Sequence, residues 1–365
     1  AGYQTGYVGK WHLGTRMTTI DGEVQGETNV DYTKPLQLGP PQFGFGDSFI
    51  LPGSLDMYPY AFVRNNAWIG EVTEQKGWSA FNRVGPAEKD FEDHQVLETF
   101  YRQAESFIAK QNDRAPFFLY LALTAPHTPI SPGENWKGKS RLGIYGDFVM
   151  EVDHGVGRVI EALKNQGLEE NTLVLFSSDH GPGSYAGNIR KATPGQIHDL
   201  ERSGHFPSGP HRGYKFSVYE GGLHVPLLAQ WPRVIPPGSE SSALVGLCDL
   251  MATVAELTGQ QLDRSQGPDS VSFAETLRSP DAAIARSDLI LRSAMGYFAI
   301  RQGDWKLCLC PGSGASGVYG NEPKSEASWR TAIESIQGAV GPELLVRPPF
   351  VQLFDLSSDP HEDHN

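Results

Sequence analysis

A glycine-rich segment near the start of the chain, GYVGKWHLG, carries two basic side chains that stand two residues apart. Alternate residues of an extended strand point to the same face, so one cleft can receive both Lys10 and His12. For so short a motif, an ordinary strand and turn with two solvated polar groups is the alternative.

A carboxylate and an imidazole follow one another in the segment SSDHG. Asp179 and His180 offer one oxygen and one nitrogen ligand to a divalent metal ion, which needs further ligands to complete its coordination. A turn in which an Asp side chain closes a strand explains the same residues equally well.

A long aperiodic segment between residues 182 and 225 gathers further basic side chains. It is rich in Gly, Pro, Ser and His, and loops far longer than an ordinary connection are often functional. Lys215 and Arg212 give it enough positive charge to bind an oxyanion. The segment also contains His198, His205 and His211.

The elements around these residues follow an α/β pattern. Continuous apolar runs at Phe117–Leu123 and Leu173–Phe176 are typical of strands buried on both faces. Between them, apolar residues recur at helical spacing from Val149 to Leu163, and Gly167 ends the pattern. This order of elements predicts a mostly parallel central sheet with crossover helices on its faces.

The candidate ligands stand where such a sheet binds its ligands. His127, Asp179 and His180 each follow an apolar strand, and in open α/β sheets ligands bind beyond the carboxyl ends of strands. Two further amphipathic helices are predicted, over Val96–Ile108 and over Leu247–Leu257.

The C-terminal part has a different pattern, with short strand-like runs separated by turns. Residues 288–309 and the later segment QLFDL contain these runs, with a polar stretch between them. We therefore predict an α/β catalytic domain over residues 1–285 and a smaller α+β subdomain with an antiparallel sheet over residues 286–365.

Composition restricts the classes of partner. The formal net charge is -13 with no long basic run, which argues against a nucleic-acid or anionic-membrane surface, so a local cationic site must attract any anionic substrate. No apolar stretch is long enough to span a bilayer. Three cysteines, Cys248, Cys308 and Cys310, are too few for a disulfide framework.

Four segments in this order resemble the formylglycine-dependent sulfatases of the alkaline phosphatase superfamily. They are GYVGKWHLG, PHTP around His127, SSDHG around Asp179, and GPHRGYKFSVYEGGLHVPLLAQWP. RQGDWKLCL and LFDLSSDPHEDHN resemble the closing segments of the same family, so the resemblance spans nearly the whole chain. It implies an alkaline phosphatase-like fold and export to the periplasm or beyond, as is usual for the bacterial members.

The resemblance implies hydrolysis of a sulfate ester, in a sulfated carbohydrate or a similar small molecule. In the family, a Cys or Ser oxidised to formylglycine attacks sulfur as its hydrate, and elimination from the resulting sulfate ester restores the aldehyde. A divalent cation, usually Ca2+ but in principle Mg2+ or Mn2+, polarises the sulfate.

The resemblance also assigns roles to residues. Lys10, His127 and Lys215 match positions that contact the sulfate or assist the leaving group, and His12 matches one that contacts the formylglycine hydroxyls. Asp179 and His180 match two metal ligands. We further predict that Arg212 and His211 contact the substrate.

The sequence departs from the family at its start. The nucleophile motif, Cys or Ser followed by x-Pro-x-Arg, and an early pair of metal-binding Asp residues normally precede GYVGKWHLG, and we expect neither in this chain, which would then lack its nucleophile and about half of its metal ligands. We therefore expect this polypeptide alone to be inactive and poorly stable, because that segment should also supply a central strand. His224 stands where relatives commonly carry Arg.

Two other functions fit the same residues. A phosphodiesterase or phosphonate monoester hydrolase of the same superfamily also binds metal through an Asp–His pair, and phosphate and sulfate esters share tetrahedral geometry. A non-catalytic binding protein would keep the fold without the nucleophile.

Overall fold

The computed structural model describes six stretches of the chain, residues 2–77, 83–187, 197–263, 265–282, 286–315 and 350–364. By compactness the chain divides into two units. The first unit contains residues 2–169 and 185–203, and the second contains residues 170–184 and 204–365. The units interleave along the chain, so the predicted boundary after residue 285 stays a prediction.

A five-stranded sheet forms the centre of the first unit. The strands of this unit are β1 (Gln4–Lys10), β2 (Asp47–Leu51), β3 (Val63–Arg64), β4 (Ala67–Trp68), β5 (Val72–Lys76), β6 (Gly85–Glu88) and β7 (Phe117–Ala122). The sheet order is β4-β3-β2-β1-β7, while β5 and β6 form a separate antiparallel pair. β1 runs parallel to both β2 and β7, which confirms the parallel core, and β3 and β4 continue it antiparallel.

The middle strand β1 is buried on both faces because its alternate residues enter two different clusters. Val8 packs with Leu51 and Phe100 on one face. Tyr7 packs with Ile50 on the other. Burying a side chain of this size contributes about 1.5–3 kcal/mol, so this strand anchors the unit.

Three α-helices lie among the described residues of the first unit, α1 (Val96–Ile108), α2 (Gly143–Asn165) and α3 (Ile197–Arg202). The bounds of α1 are those predicted from its apolar spacing, and the helix predicted between the two apolar runs is confirmed as α2. α2 stops two residues before Gly167, which takes a φ of 66° that favours glycine. Arg158 on α2 binds the carboxylate of Glu105 on α1 at 2.7 Å and so links the two helices.

The second unit contains nine α-helices and β-strands among its described residues. They are β8 (Val174–Ser177), α4 (Glu220–Leu223), β9 (Leu227–Gln230), α5 (Leu250–Leu257), α6 (Ala274–Arg278), β10 (Asp288–Arg292), β11 (Phe298–Gln302), β12 (Trp305–Leu309) and β13 (Val351–Asp355). β10 to β13 form an antiparallel sheet in chain order, which confirms the predicted C-terminal sheet. The polar stretch predicted within it falls largely on residues 316–349, outside the described residues.

The buried face of this antiparallel sheet packs against the long segment that carries the candidate basic residues. Ala299, Cys308 and Phe354 contact Val218 and Tyr219 from that segment. The three cysteines, all of which lie among the described residues, form no disulfide. The sheet therefore supports part of the candidate site.

The two apolar runs that flank α2 form strands, but the structure corrects how they pair. β7 is an edge strand of the sheet formed by the described residues, and Phe118 and Tyr120 remain 40% and 51% exposed. β8 pairs antiparallel with β9 instead of joining a parallel sheet with β7. A continuous apolar run predicts a strand but does not specify its partner.

Long apolar helices are not part of the described fold. None of the helices formed by the described residues has the length and hydropathy that crossing a bilayer requires.

Candidate functional site

Lys10 stands at the carboxyl end of β1, beside the end of β7. The close approach of these two strands depends on Gly9, where a Cβ atom would lie 1.9 Å from the carbonyl oxygen of Ala122. Gly9 also has a φ of 127°, which side chains rarely allow. The Tyr7 hydroxyl donates to the carbonyl oxygen of Lys10 at 2.6 Å, which fixes the strand end that presents the lysine.

The structure corrects the prediction that Lys10 and His12 alternate along one strand. β1 ends at Lys10, and His12 has a φ of 52° in the left-handed region. The N–H groups of Trp11 and His12 donate to the carbonyl oxygens of Leu51 and Pro52, so the backbone still follows the end of β2. His12 is exposed beyond the strand end, and its direction follows from the positive φ and not from alternation.

His127 lies in the turn that follows β7, in the same unit as Lys10. Its Nδ1 faces the carbonyl oxygen of Thr128 at 2.5 Å, and since a carbonyl only accepts, we assign the proton of the neutral ring to Nδ1. The buried Tyr185 packs edge-on against the imidazole, with ring centres 6.1 Å apart. The ring is therefore held in one orientation with Nε2 as its basic nitrogen.

Asp179 and His180 form a turn at the end of β8, in the second unit. Oδ2 of Asp179 lies 3.3 Å from Nε2 of His180. Nδ1 of His180 faces the carbonyl oxygen of Gly181 at 2.8 Å, which directs Nε2 toward the Asp179 carboxylate. An imidazole whose other nitrogen bonds a carbonyl is the usual form of a metal-binding histidine, and the Asp179 carboxylate is exposed.

Backbone hydrogen bonds join this turn to residues 210–222, which we call the segment of Lys215. The N–H of Lys215 donates to the carbonyl oxygen of Pro182 at 2.7 Å, and the N–H of Gly181 donates to that of Gly222 at 2.9 Å. A Cβ atom at Gly181 would lie 1.9 Å from the carbonyl oxygen of Gly221, so only glycine permits the contact. The structure thus brings the two candidate metal ligands and the segment of Lys215 together within one unit.

Arg212 and His211 are tied to the C-terminal residues. Nη1 of Arg212 donates to the carbonyl oxygen of Glu362 at 2.6 Å, and its guanidinium lies 4.5 Å from the centre of the Tyr219 ring. Nδ1 of His211 lies 3.4 Å from the carbonyl oxygen of Pro360. Burial and the neighbouring His224 ring lower the pKa of His211 and so favour the neutral form of its imidazole.

Two further candidate histidines of the long segment lie among the described residues. His198 lies on α3, where its Nδ1 pairs with Glu201 Oε2 at 2.6 Å, and His205 is half-buried after the helix. Residues 188–196 lie outside the described part of the chain.

A buried group of ionic side chains that was not predicted from the sequence includes Glu362, the residue whose carbonyl oxygen Arg212 contacts. Nζ of Lys306 on β12 lies 2.8 Å from Glu220 Oε1 and 2.9 Å from Glu362 Oε1, and Lys306 is 0% exposed. Arg301 and His224 also face the second oxygen of Glu220, at 3.0 and 3.4 Å. One signal was present in the sequence, since Lys306 occupies a buried position in an alternating strand.

The two carboxylates of this group respond differently to burial. Burial alone raises the pKa of Glu220, but the hydrogen bond with His224 and the charges of Lys306 and Arg301 outweigh it and hold that pKa well below its usual range. Burial raises the pKa of Glu362, and its contact with Lys306 offsets this only in part. The pKa of Glu220 is therefore lower than that of Glu362, so Glu220 keeps its negative charge to lower pH.

The letters of the nucleophile motif, Ser-x-Pro-x-Arg, occur within the chain at residues 208–212, which the sequence analysis overlooked. The Ser208 hydroxyl donates to the carbonyl oxygen of Gly213 at 3.3 Å. The motif arginine is Arg212, whose guanidinium bonds Glu362. The match lies in the segment that leads to Lys215.

Comparison with known proteins gives one family. The sequence model of a family described as Sulfatase matches residues 1–260. The chain is 28% identical over 403 residues to an N-acetylgalactosamine-6-O-sulfatase of Bacteroides thetaiotaomicron, covering 100% of this chain and 71% of that protein. It is 28% identical over 335 residues to the N-acetylgalactosamine-6-sulfatase of Homo sapiens, covering 87% of this chain and 57% of that protein. The chain thus spans little more than half the length of the human relative.

Solved structures agree with the fold. A structure from work on glycosaminoglycan metabolism by Bacteroides thetaiotaomicron superimposes with a TM-score of 0.76 at 25% identity, covering 100% of this chain and 75% of that chain. A Pseudoalteromonas sulfatase superimposes with a TM-score of 0.66 at 20% identity, covering 100% of this chain and 66% of that chain. The predicted fold class is confirmed.

Proposed function

Because the chain belongs to the sulfatase family, we propose that it hydrolyses the sulfate ester of a carbohydrate. The observation that carries the proposal is the hydrogen-bonded contact between the Asp179–His180 turn and the segment of Lys215. It gathers two donors for a divalent cation and a lysine within one compact unit, and a bound cation together with the ammonium group would supply the positive charge that a tetrahedral anion needs.

The two lysines are proposed to bind the sulfate group. Negative charge grows on the leaving oxygen as the ester bond breaks, and ammonium groups placed there stabilise the transition state. The net charge of -13 opposes the approach of an anion, so Lys10 and Lys215 supply the local attraction.

His127 is proposed to protonate the leaving alkoxide. The contact of Nδ1 with Thr128 and the packing of Tyr185 hold the ring, so Nε2 is the nitrogen that takes up a proton and then gives it to the alkoxide, which leaves the ring neutral. We propose that His12 contacts the formylglycine hydroxyls, the role that the family resemblance gives its position.

Asp179 and His180 fit a divalent cation in the donors that they present. A carboxylate oxygen and an imidazole nitrogen lie 3.3 Å apart, and the second nitrogen of the imidazole is held by a backbone carbonyl. A bound cation, for which we propose Ca2+, would act there as a Lewis acid on the sulfate oxygens.

The substrate that we propose is an N-acetylgalactosamine 6-sulfate unit. The names of both the bacterial and the human relatives support this choice. We propose that Arg212 and His211 contact the sugar near its sulfate, since both stand within four residues of Lys215. The nucleophile is proposed to be formylglycine.

The test measures inorganic sulfate released by protein expressed from the complete coding sequence. N-acetylgalactosamine 6-sulfate is compared with the 4-sulfate, and we expect sulfate from the 6-sulfate alone. Peptide mass spectrometry searches every Ser and Cys peptide for the aldehyde, including the peptide of Ser208.

Other outcomes would replace the proposal. Hydrolysis of a phosphonate monoester or a phosphodiester without sulfate release would show phosphoryl chemistry. Saccharide binding without hydrolysis of any ester would show a binding protein.

A further inference from the structure

The last described residues of the chain form a tight turn, which we name the C-terminal turn, residues 359–364. The Asp359 carboxylate accepts hydrogen bonds from the N–H groups of Asp363 and His364 at 3.0 and 2.9 Å. The N–H of Glu362 donates to the carbonyl oxygen of Asp359 at 3.1 Å. These bonds give Glu362 a φ of 56°, a left-handed backbone that non-glycine residues adopt only when the surroundings impose it.

The C-terminal turn contacts the segment that leads to Lys215 through consecutive residues. The carbonyl oxygen of Pro360 meets Nδ1 of His211, and Nδ1 of His361 meets the carbonyl oxygen of Pro210. The carbonyl oxygen of Glu362 then accepts from Arg212. Three consecutive residues of the turn therefore each contact one residue of the segment 210–212.

The side chain of Glu362 fastens this contact from inside the unit. The residue is 0% exposed, its Oε2 accepts from the N–H of Glu220 at 2.7 Å, and its Oε1 lies 2.9 Å from Nζ of Lys306. Burying a carboxylate is unfavourable unless it gains such partners, so the turn holds Glu362 in a position that packing alone would not select.

The contact with Glu220 leads directly to the candidate site. Glu220 is the first residue of α4, and within that helix the N–H of Gly221 donates to the carbonyl oxygen of Arg212 at 2.7 Å. The carbonyl oxygen of Gly222 accepts from Gly181, the residue after His180. One short helix therefore connects Glu362 with both the Asp179–His180 turn and the segment of Lys215.

We propose that Glu362 is a positioning residue for sulfate ester hydrolysis, holding α4 so that Lys215 and the Asp179–His180 turn keep their relative placement. This inference rests on the proposed function for the reaction that it serves. Its physical content, that Glu362 orders residues 210–222, does not depend on the identity of the substrate.

The experiment compares two variants of Glu362 with a control in the full-length protein. Glu362→Gln keeps an acceptor for the Glu220 N–H and loses the charge that faces Lys306, while Glu362→Ala loses both. The control is Asp249→Asn, an equally buried carboxylate of the same unit that pairs with Arg286 at 2.8 Å. Tm, kcat and KM are measured for each, with kinetics taken well below the lowest Tm.

We expect kcat to fall by about 100-fold in Glu362→Ala, with a smaller change in KM, because a small displacement of reacting groups has an effect of this size. Glu362→Gln is expected to recover about tenfold of that loss, since it keeps the bond to Glu220. Asp249→Asn lowers Tm and leaves kcat unchanged. A Glu362→Ala protein that loses Tm but keeps the kcat of the control overturns the inference.

A wild-type protein that hydrolyses no sulfate ester refutes the proposed function and not this inference. In that case, hydrogen exchange tests whether Glu362 orders residues 210–222. Faster amide exchange over residues 210–222 in Glu362→Ala, but not in Asp249→Asn, supports positioning by Glu362. Unchanged exchange over those residues overturns it.

Discussion

The N–H of Lys215 donates to the carbonyl oxygen of Pro182 at 2.7 Å, and Pro182 stands three residues after Asp179. The backbone of the candidate sulfate-binding lysine is therefore bonded to the segment that carries the candidate metal ligands. The two bonded residues are more than thirty positions apart in the sequence, and the contact of Gly181 with α4 joins the same two segments. A change that separates the two backbones should therefore disturb the lysine and the candidate metal ligands together.

Gly181→Ala tests this contact. The new Cβ atom would lie 1.9 Å from the carbonyl oxygen of Gly221, so the backbones must separate. We expect the free energy of unfolding to fall by roughly 1–3 kcal/mol, as in other overpacked sites. Chemical denaturation measures the change. Gly157→Ala on α2 is the control, because its Cβ would meet nothing within 4 Å and a helix favours alanine by about 1 kcal/mol.

Lys215→Ala tests the proposed sulfate contact. We expect kcat/KM for sulfate release to fall by about 100- to 1,000-fold, the usual effect of removing one group that stabilises developing charge. Arg233→Ala, an exposed basic residue of the same unit, is the control for a general change in charge. Equal effects of the two substitutions on kcat/KM would contradict a specific role for Lys215.

The apolar pattern of the sequence predicted where two strands end but not which strands pair. Apolar runs followed by polar residues located β7 and β8, and with them His127, Asp179 and His180. The pairing of β8 with β9 was not predicted, because hydrophobicity indicates burial and not the partner strand.

The ionic group at Glu220 shows where sequence reasoning stopped. Lys306 and Glu362 lie 86 and 142 residues from Glu220 in the sequence, and no local spacing relates the three residues. The predicted alternation of Lys10 and His12 along one strand was wrong for a different reason, since β1 ends at Lys10 and His12 has a positive φ. Both failures concern tertiary contacts or single dihedral angles, which a periodic pattern does not record.

Asp179→Ala tests the proposed cation site without any assay of catalysis. A ligand that binds only the folded state raises stability by about 2.7 kcal/mol at 100 times its dissociation constant. We therefore expect added Ca2+ to raise the Tm of the wild-type protein and excess chelator to reverse the rise. In Asp179→Ala that Tm rise should disappear.

The control for the cation site is Asp304→Asn, which removes an exposed carboxylate of the same unit. It should respond to Ca2+ as the wild-type protein does. A Tm rise that survives in Asp179→Ala would show that the cation binds elsewhere. Repeating the titration with Mg2+ and Mn2+ identifies which ion the donors prefer.

Glu151 on α2 makes stability depend on pH. Burial raises its pKa to about 7, although the hydrogen bond that it accepts from the N–H of Gly133 at 2.8 Å opposes the rise. In the unfolded chain its pKa returns to about 4.5, so the folded state binds the proton more tightly. The stability that this proton contributes is complete below pH 4.5 and is lost as the pH rises through 7, a difference on the order of 3 kcal/mol.

Glu151→Gln keeps an oxygen acceptor for Gly133 and carries no charge at any pH. We expect the variant to match the wild-type protein near pH 4.5 and to be more stable above pH 7, as measured by denaturation across that range. Glu161→Gln, an exposed position on the same helix, controls for loss of a surface charge. Because other groups titrate equally in both proteins, the difference between the two curves isolates Glu151, and parallel curves would contradict its raised pKa.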